Sequence, residues 1–161
     1  VKSPLEITVQ SAGGFASIKV AENEVSPGGV GYNLVVLDPG NGRVLAAQSF
    51  NTGAEAAQSA ALAEFVAAIP SGRIVAVAGR GQAGANLSAA AIAALGSLGL
   101  NGDLRATPGW VHAAVGVKGA APGQALEQAA EGFSFVHLGP NADKRTLAAA
   151  VDFVKMTKVE P

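Results

Sequence analysis

The sequence contains no cysteine and few aromatic residues, which make up 5% of its 161 positions. The absence of cysteine excludes disulfides, thiolate metal sites and a cysteine nucleophile, although it does not fix the cellular compartment. Hydrophobic residues make up 49% of the chain, and most of them are alanine and other aliphatic types. We therefore expect a folded globular protein whose core is aliphatic, with close backbone contacts where glycine and alanine face each other.

Long segments of one charge and long apolar runs are also missing. The 11 basic and 12 acidic residues are mixed along the chain, so no nucleic-acid surface is predicted. No apolar run approaches the roughly 20 residues that span a bilayer, and membrane insertion is not expected. The first residues, VKSPLEITVQ, have neither an initiator Met nor the features of a signal peptide. We therefore expect a processed form or a fragment of a longer protein.

The length suits a single domain, which we predict over residues 1–161. Gly31–Asp38 is apolar on both faces, as in a central strand. The turn that follows contains an Asn-Gly pair and predicts an antiparallel hairpin, which conflicts with an all-parallel sheet. The predicted strands are Leu5–Gln10, Phe15–Val20, Gly31–Asp38, Arg43–Phe50, Arg73–Gly79, Trp110–Gly119 and Phe133–Gly139.

Two amphipathic helices are predicted between these strands. Thr52 and Glu55 fit a capping box at the start of the first helix, which Pro70 ends. Asn86 or Ser88 is the predicted cap of the second helix, which Gly99 closes. The apolar stripes are Leu62, Phe65, Val66 and Ile69 on the first helix and Ala91, Ile92, Leu95 and Leu98 on the second.

The last part of the chain is harder to interpret. Leu126–Glu131 is predicted as a helical turn. Asp143–Met156 fits either a helix or a strand, and we favour a strand for its latter half because Val151, Phe153 and Val154 are β-formers.

A glycine-rich motif, GRGQAG at Gly79–Gly84, matches the G-x-G-x-x-G of dinucleotide-binding folds, and Asp103 follows at the offset of their ribose contact. However, the acid lies in a loop rather than at the end of a second parallel strand. An antiparallel hairpin and a helix precede the motif, and too little chain follows to complete the fold. We interpret the motif as a strand-to-helix turn, and an NAD-binding enzyme is the least favoured hypothesis.

The other polar residues form no recognisable catalytic or metal-binding pattern. His112 and His137 both lie in predicted strands, and no acid is spaced to complete a metal site with them. No Gly-x-Ser-x-Gly element is present, so no nucleophilic triad is indicated. We predict no catalytic residue, no metal and no cofactor, and the following carboxylates are expected only to cap or solvate turns: Glu22, Glu24, Asp38 and Asp103.

An ordered series of segments resembles one known family. SAGGFASIKV starts at Ser11, GYNLVVLDPGNG at Gly31 and RIVAVAG at Arg73. ALGSLG starts at Ala94 and WVHAAVGVKG at Trp110. In this order they are similar to the ILEI/PANDER domain, also called the GG domain, of the interleukin-like EMT inducer group. The resemblance is strongest over residues 5–119 and leaves residues 120–161 as domain-completing strands of uncertain alignment.

The resemblance implies a compact α/β domain of α+β type, with two antiparallel sheets flanked by two to three helices and no catalytic activity. Members occur as secreted cytokine-like proteins and as accessory modules of carbohydrate-active proteins, some of which bind sugar. Members of animal origin carry disulfides, which this chain cannot form.

The sugar contacts of such members correspond here to Val30, Gly81 and the vicinity of Gly109, none of which has the required side chain. Four residues near these positions could form a different carbohydrate site: Arg80, Gln82, Arg105 and Trp110. For Trp110 alone, a core position is the more common role, since tryptophan is highly buried on average. For Arg80 and Arg105, the competing interpretation is solvated loop charge.

Two functions remain from these arguments. The first is a non-catalytic extracellular or cell-surface module that binds carbohydrate as part of a larger protein. The alternative is a structural or protein-interaction domain without a small ligand. The expected partner is accordingly a glycan or a protein.

Overall fold

The computed structural model describes residues 2–140, and these form nine strands and two α-helices. The strands are β1 (Ile7–Ala12), β2 (Ala16–Val20), β3 (Asn23–Glu24), β4 (Gly31–Leu37), β5 (Val44–Phe50), β6 (Ile74–Arg80), β7 (Trp110–Val117), β8 (Leu126–Glu131) and β9 (Phe133–Leu138). The helices are α1 (Ala56–Ala67) and α2 (Ala89–Gly96), and a 3₁₀ turn covers Leu104–Ala106. Within residues 2–140, neither helix is both long and apolar enough to span a membrane.

The strands form two antiparallel groups, as the family resemblance implies. One group has the order β3-β2-β1-β9, and the other has the order β5-β4-β6-β7-β8. A single parallel pair, Ala12 with Arg80, connects β1 to β6 and joins the groups into one mixed nine-stranded sheet. We call the groups the four-stranded and five-stranded sheets.

Buried serines stabilise the place where the two sheets join. The β6–β7 ladder ends at the pair Ala78–Ala113, and the two strands separate beyond it. The Ser11 hydroxyl fills this gap: it donates to the His112 carbonyl at 2.7 Å and accepts from the Gly79 amide at 3.0 Å. Ser134 of β9 likewise donates to the Val111 carbonyl at 2.8 Å. These side chains satisfy backbone groups that would otherwise be buried without partners.

Two hydrophobic cores divide the molecule into three layers. One core lies between the helices and the five-stranded sheet, and the other lies between the two sheets. Strand β4 contributes to both, because Leu34 and Val36 belong to the first core and Val35 and Leu37 to the second. Both faces of β4 are apolar because each face packs against a core. The prediction of a central strand is confirmed.

The helix caps are predicted correctly for one helix and wrongly for the other. Ser88 is the N-cap of α2, and its hydroxyl accepts a hydrogen bond from the Ala91 amide at 3.1 Å. Glu55 is the N-cap of α1 and makes no side-chain capping bond. The predicted capping box does not form because Thr52 is buried, where its hydroxyl donates to the Ala83 carbonyl at 2.7 Å. The Thr52 hydroxyl is therefore used in a tertiary contact and is not available to cap the helix.

The prediction for the segment after β7 is also wrong. Leu126–Glu131 is strand β8 rather than a helical turn, and it pairs antiparallel with β7 along its whole length. Its residues favour helices intrinsically, but pairing with the exposed edge of β7 overrides that preference. The segment Asp143–Met156, predicted as helix or strand, lies outside the described residues.

Candidate functional site

Three loops meet at one end of the five-stranded sheet. The Gln82 side chain, after β6, accepts a hydrogen bond from the Gly109 amide at 3.3 Å. The Gly109 carbonyl accepts one from Gly132, the single residue between β8 and β9, at 3.1 Å. Trp110 follows Gly109 and begins β7. The structure therefore brings Gln82 and Trp110, two of the four predicted site residues, to the same place.

Trp110 is exposed at this end, and the expectation that it is a core residue is wrong. Its side chain retains 38% exposure, whereas His112 and Ala114, two and four residues further along the same strand face, are fully buried. The helix layer thus covers the middle of β7 and leaves its first residue uncovered. Glu131 lies directly opposite Trp110 in the β7–β8 ladder, so the two Cβ atoms are about 5 Å apart.

Two buried polar atoms of the predicted site region have no hydrogen-bond partner within residues 2–140. The Trp110 amide donates to the Thr107 carbonyl at 3.1 Å, while the Thr107 hydroxyl is buried and has no hydrogen-bond partner within residues 2–140. The Arg80 Nε, at the end of β6, is also buried and has no hydrogen-bond partner within residues 2–140, while the Arg80 Nη1 donates to the Gly28 carbonyl at 2.8 Å. Because the Thr107 hydroxyl oxygen has no exposed surface, a molecule that packs on the Trp110 ring does not reach it. We call the exposed residues Gln82, Trp110 and Glu131 the Trp110 site.

Arg105, the fourth predicted residue, is engaged elsewhere. Its guanidinium makes a two-pronged ion pair with Asp103, with Nε–Oδ1 and Nη2–Oδ2 distances of 2.9 and 2.5 Å. The hydrogen bond from Arg105 lowers the pKa of the Asp103 carboxyl. Among residues 2–140, no hydrogen bond or ion pair joins Arg105 or Arg80 to Trp110. Arg105 thus makes a local loop contact with Asp103, whereas Arg80 connects β6 to the loop that contains Gly28.

The glycines of the Gly79–Gly84 motif serve packing. A Cβ on Gly84 would lie 2.4 Å from the Leu104 carbonyl oxygen, and the Gly79 amide is bonded to Ser11. Helix α2 begins five residues after the motif, at Ala89, so the loop does not present a phosphate to the helix N-terminus. These contacts support the interpretation as a strand-to-helix turn.

A second exposed feature lies on the outer face of the four-stranded sheet. Phe133 and Phe135 alternate with the buried Ser134 and Val136 along β9, and they are 48% and 42% exposed. Phe133 pairs with Ala12 at the end of β1. On the opposite edge of β1, the Ala12 amide donates to the carbonyl of Phe15. Phe15 is also exposed. We call these three residues the phenylalanine stripe; the sequence patterns place them in strands but do not indicate their exposure.

A buried hydrogen-bond network crosses the first core, and sequence reasoning missed it. His112 Nδ1 lies 3.0 Å from the Tyr32 hydroxyl, and its Nε2 lies 2.6 Å from Glu127 Oε2. Nε2 must carry a proton to bond an ionised carboxylate, so in the neutral ring Nδ1 accepts from Tyr32. The three residues lie 80 and 15 positions apart along the chain, so no local motif could reveal them.

The environment fixes the protonation of this network. Burial raises the pKa of the Tyr32 hydroxyl, so it remains a donor. Burial also opposes ionisation of Glu127, but hydrogen bonds from His112 and from the amides of Asn101 and Gly102 hold its pKa below the ordinary value. Tyr32 and His112 are fully buried, so the network ties strands and a loop together out of reach of a substrate.

The two histidines do not share a site. His137 is on the exposed face of β9, where its Nε2 lies 3.0 Å from Glu6 Oε2, whereas His112 belongs to the buried network. In the part of the chain that the structure describes, no group of three or more His, Cys, Asp or Glu residues is arranged to hold a metal ion.

Comparison with known proteins gives one family. The family model described as Interleukin-like EMT inducer matches residues 30–120, which include Gln82, Thr107 and Trp110. No curated protein matches the chain. The matched region runs from the start of β4 to just past β7 and therefore contains both helices and most of the five-stranded sheet.

Proposed function

Because the chain belongs to the Interleukin-like EMT inducer family, we propose that it is a non-catalytic, extracellular binding domain whose Trp110 site takes a carbohydrate. The family supplies the premise that the domain acts by binding. The observation that supports a glycan is the exposed Trp110 ring directly opposite the exposed Glu131 carboxylate, with Gln82 on the adjoining loop.

The placement of the acid–base groups supports a non-catalytic role. Tyr32, His112 and Glu127 have the mutual geometry of a proton relay, but the tyrosine and histidine side chains have no exposed surface. A catalytic base must come within hydrogen-bond reach of its substrate. This network can stabilise the fold but cannot contact a bound molecule.

The chemistry of the Trp110 site suits a sugar. A pyranose ring has an apolar face that packs on an aromatic ring, and its hydroxyls bond to carboxylates, amides and hydroxyl groups. Trp110 supplies the aromatic face, Glu131 the carboxylate and Gln82 the amide. Such a combination of one apolar platform and a few polar groups is typical of small-ligand sites.

A glycan array with matched variants tests this proposal. We expect the wild-type chain to bind a subset of glycans, and W110A and E131A each to reduce affinity by about tenfold or more, which corresponds to about 1.4 kcal/mol. F135A is the control, because it removes an exposed aromatic ring of the phenylalanine stripe that lies further along β9 from Glu131. An array without any bound glycan, or binding that survives W110A, contradicts the proposal.

The phenylalanine stripe supports protein interaction as a second candidate function. Its three phenylalanines are all exposed, and grouped apolar side chains on a surface commonly mark interaction sites. We expect a labelled F133A/F135A double variant to lose binding to intact cells, while W110A and glycosidase treatment of the cells leave binding unchanged. Loss with W110A and with glycosidase treatment would instead favour the carbohydrate function.

A further inference from the structure

The Glu127 carboxylate attaches the loop between α2 and β7 to the five-stranded sheet. Its Oε1 accepts the Asn101 amide at 2.6 Å, and its Oε2 accepts the Gly102 amide at 3.2 Å. The same Oε2 lies 2.6 Å from His112 Nε2, so one carboxylate joins the loop to β7. Hydrogen bonds to an ionised acceptor are roughly twice as strong as neutral ones. This side chain is therefore a strong link between the loop and the sheet.

The loop packs directly on the His112 ring. A Cβ on Gly102 would lie 2.8 Å from His112 Nε2 and 2.9 Å from its Cε1, so only a glycine allows the backbone to come this close. His112 has little room to move, because it is fully buried and its Nδ1 lies 3.0 Å from the Tyr32 hydroxyl. The position of the loop is therefore set from two sides, by the carboxylate and by the ring.

Trp110 and Glu131 lie on the same sheet face as this link. Trp110 is two residues from His112 on β7, and Glu131 is four residues from Glu127 on β8. Even spacings along a strand place side chains on one face. On that face, His112 is fully buried, whereas Trp110 is 38% exposed. The loop packs on His112 and leaves Trp110 open, so it borders the exposed indole.

A series of contacts continues from the loop to the Trp110 site. The 3₁₀ turn Leu104–Ala106 packs on β7, and the Leu104 side chain is buried. The Leu104 carbonyl accepts the Thr107 amide at 3.3 Å, and the Thr107 carbonyl accepts the Trp110 amide at 3.1 Å. Leu104 also packs against Gly84, two residues after Gln82. The two loops of the site thus both contact the attached segment.

We propose that Glu127 is a positioning residue of the Trp110 site: its carboxylate fixes the loop in the position in which Trp110 and Gln82 bind a carbohydrate. The inference rests on the proposed function, because it assigns a role in binding to a side chain that acts through the loop. The E127Q substitution isolates the contribution of the carboxylate. The amide oxygen can accept one of the two loop amides, but the NH₂ group is a donor and cannot accept the other. E127Q therefore removes one attachment while it keeps the size of the side chain.

Hydrogen exchange and tryptophan emission of the free full chain test whether Glu127 holds both the loop and the indole. We expect the amides of Asn101 and Gly102 to exchange at least about tenfold faster in E127Q than in the wild type. The emission maximum of Trp110, the only tryptophan of the chain, should shift to longer wavelength, and acrylamide should quench it more strongly, because the loop no longer shields the indole. E24Q is the matched control, since the Glu24 carboxylate likewise accepts two backbone amides, but on β3 of the four-stranded sheet. It should alter neither the exchange nor the emission.

A second variant moves the loop without changing Glu127. G102A places a Cβ 2.8 Å from His112 Nε2, which is closer than such atoms approach, so the loop must shift away from the ring. We expect the same changes in Trp110 emission and quenching as for E127Q. G14A is the matched control, because no atom lies within 4 Å of the Cβ position on Gly14. Thermal unfolding checks that each variant is folded, and G102A carries the test if E127Q is not.

Glycan affinity separates this inference from the proposed function. For the oligosaccharides that the wild-type chain binds on the array, E127Q and G102A should each raise the dissociation constant about fivefold or more, while E24Q and G14A leave it unchanged. An array without any bound glycan contradicts the proposed function, whereas exchange and emission of the free chain still decide whether Glu127 positions Trp110. Faster exchange at Asn101 and Gly102 with unchanged Trp110 emission and quenching overturns the positioning role. Unchanged exchange in E127Q, or an unchanged glycan affinity of both variants, overturns it as well.

Discussion

Single residues far apart in the sequence set the buried chemistry of this protein. Tyr32, His112 and Glu127 come from three different strands, and the Glu127 carboxylate also accepts the amides of Asn101 and Gly102. The network therefore holds the loop after α2 against the five-stranded sheet. Each of the three side chains has a hydrogen-bond partner, and buried polar networks of this kind stabilise a fold.

The ionisation of Glu127 gives a prediction for the pH dependence of stability. The pKa of Glu127 is lower in the folded chain than its ordinary value of 4.5, so its contribution to the free energy of unfolding is present above that pH. The contribution is lost as the pH falls below 4.5 and through the lower folded pKa. E127Q removes it, and we expect a cost of about 1–3 kcal/mol at pH 7.

Urea unfolding of the wild type and E127Q between pH 7 and pH 3 measures this effect. We expect the difference in unfolding free energy to shrink below pH 4.5. The raised pKa of Tyr32 keeps its hydroxyl protonated over this range, and Asp103, which interacts with Tyr32, is present in both proteins, so its contribution largely cancels. A difference that stays constant down to pH 3 would contradict the account.

At the residue scale, the sequence indicates which polar side chains lie near one another along the chain, but not which of them form hydrogen bonds in the fold. Gln82 and Trp110 were placed at one site from their positions in two loops, and the structure brings them together. Arg80 and Arg105 looked equivalent to them in sequence, but their partners, the Gly28 carbonyl and Asp103, draw them into other contacts. The buried network depends on strand register, which no local pattern contains.

Secondary-structure elements form from local signals only where tertiary contacts agree. Ser88, one of the two predicted caps, is the N-cap of α2, whereas the other, Asn86, donates its side-chain amide to the Gly53 carbonyl. Helix α1 begins without a side-chain cap, since Thr52 is used in the core. Strand β8 forms from a helix-favouring sequence because β7 offers it a complete ladder. Each failure follows from long-range pairing that outweighs local propensity.

The caps of the two helices give a prediction at the scale of the element. S88A removes the hydroxyl that accepts the Ala91 amide, and we expect it to reduce the free energy of unfolding by about 1 kcal/mol. E55A is the matched control: Glu55 has the same N-cap position on α1 but makes no capping bond, so its effect should lie within about 0.5 kcal/mol. Equal effects of the two substitutions in chemical denaturation would show that the Ser88 cap does not stabilise α2.

The whole molecule is a three-layer domain in which helices cover one face of the five-stranded sheet and the four-stranded sheet covers the other. Its α+β class and antiparallel hairpins were predictable because strand alternation and turn residues are local signals. The join of the sheets through Ala12 and Arg80, and the loops that meet at Trp110, were not, since they depend on where strands diverge. In this arrangement the Trp110 site and the phenylalanine stripe are neighbours along the chain, since Gly132 alone separates Glu131 from Phe133.

The fluorescence of Trp110 tests the central claim most directly, because it is the only tryptophan of the chain and lies in the proposed site. The wild-type chain is titrated with oligosaccharides that represent the main classes of extracellular glycan. We predict a saturable shift of the emission maximum to shorter wavelength with at least one class, as a sugar ring covers the exposed indole. An emission spectrum that no oligosaccharide alters would contradict a carbohydrate site at Trp110.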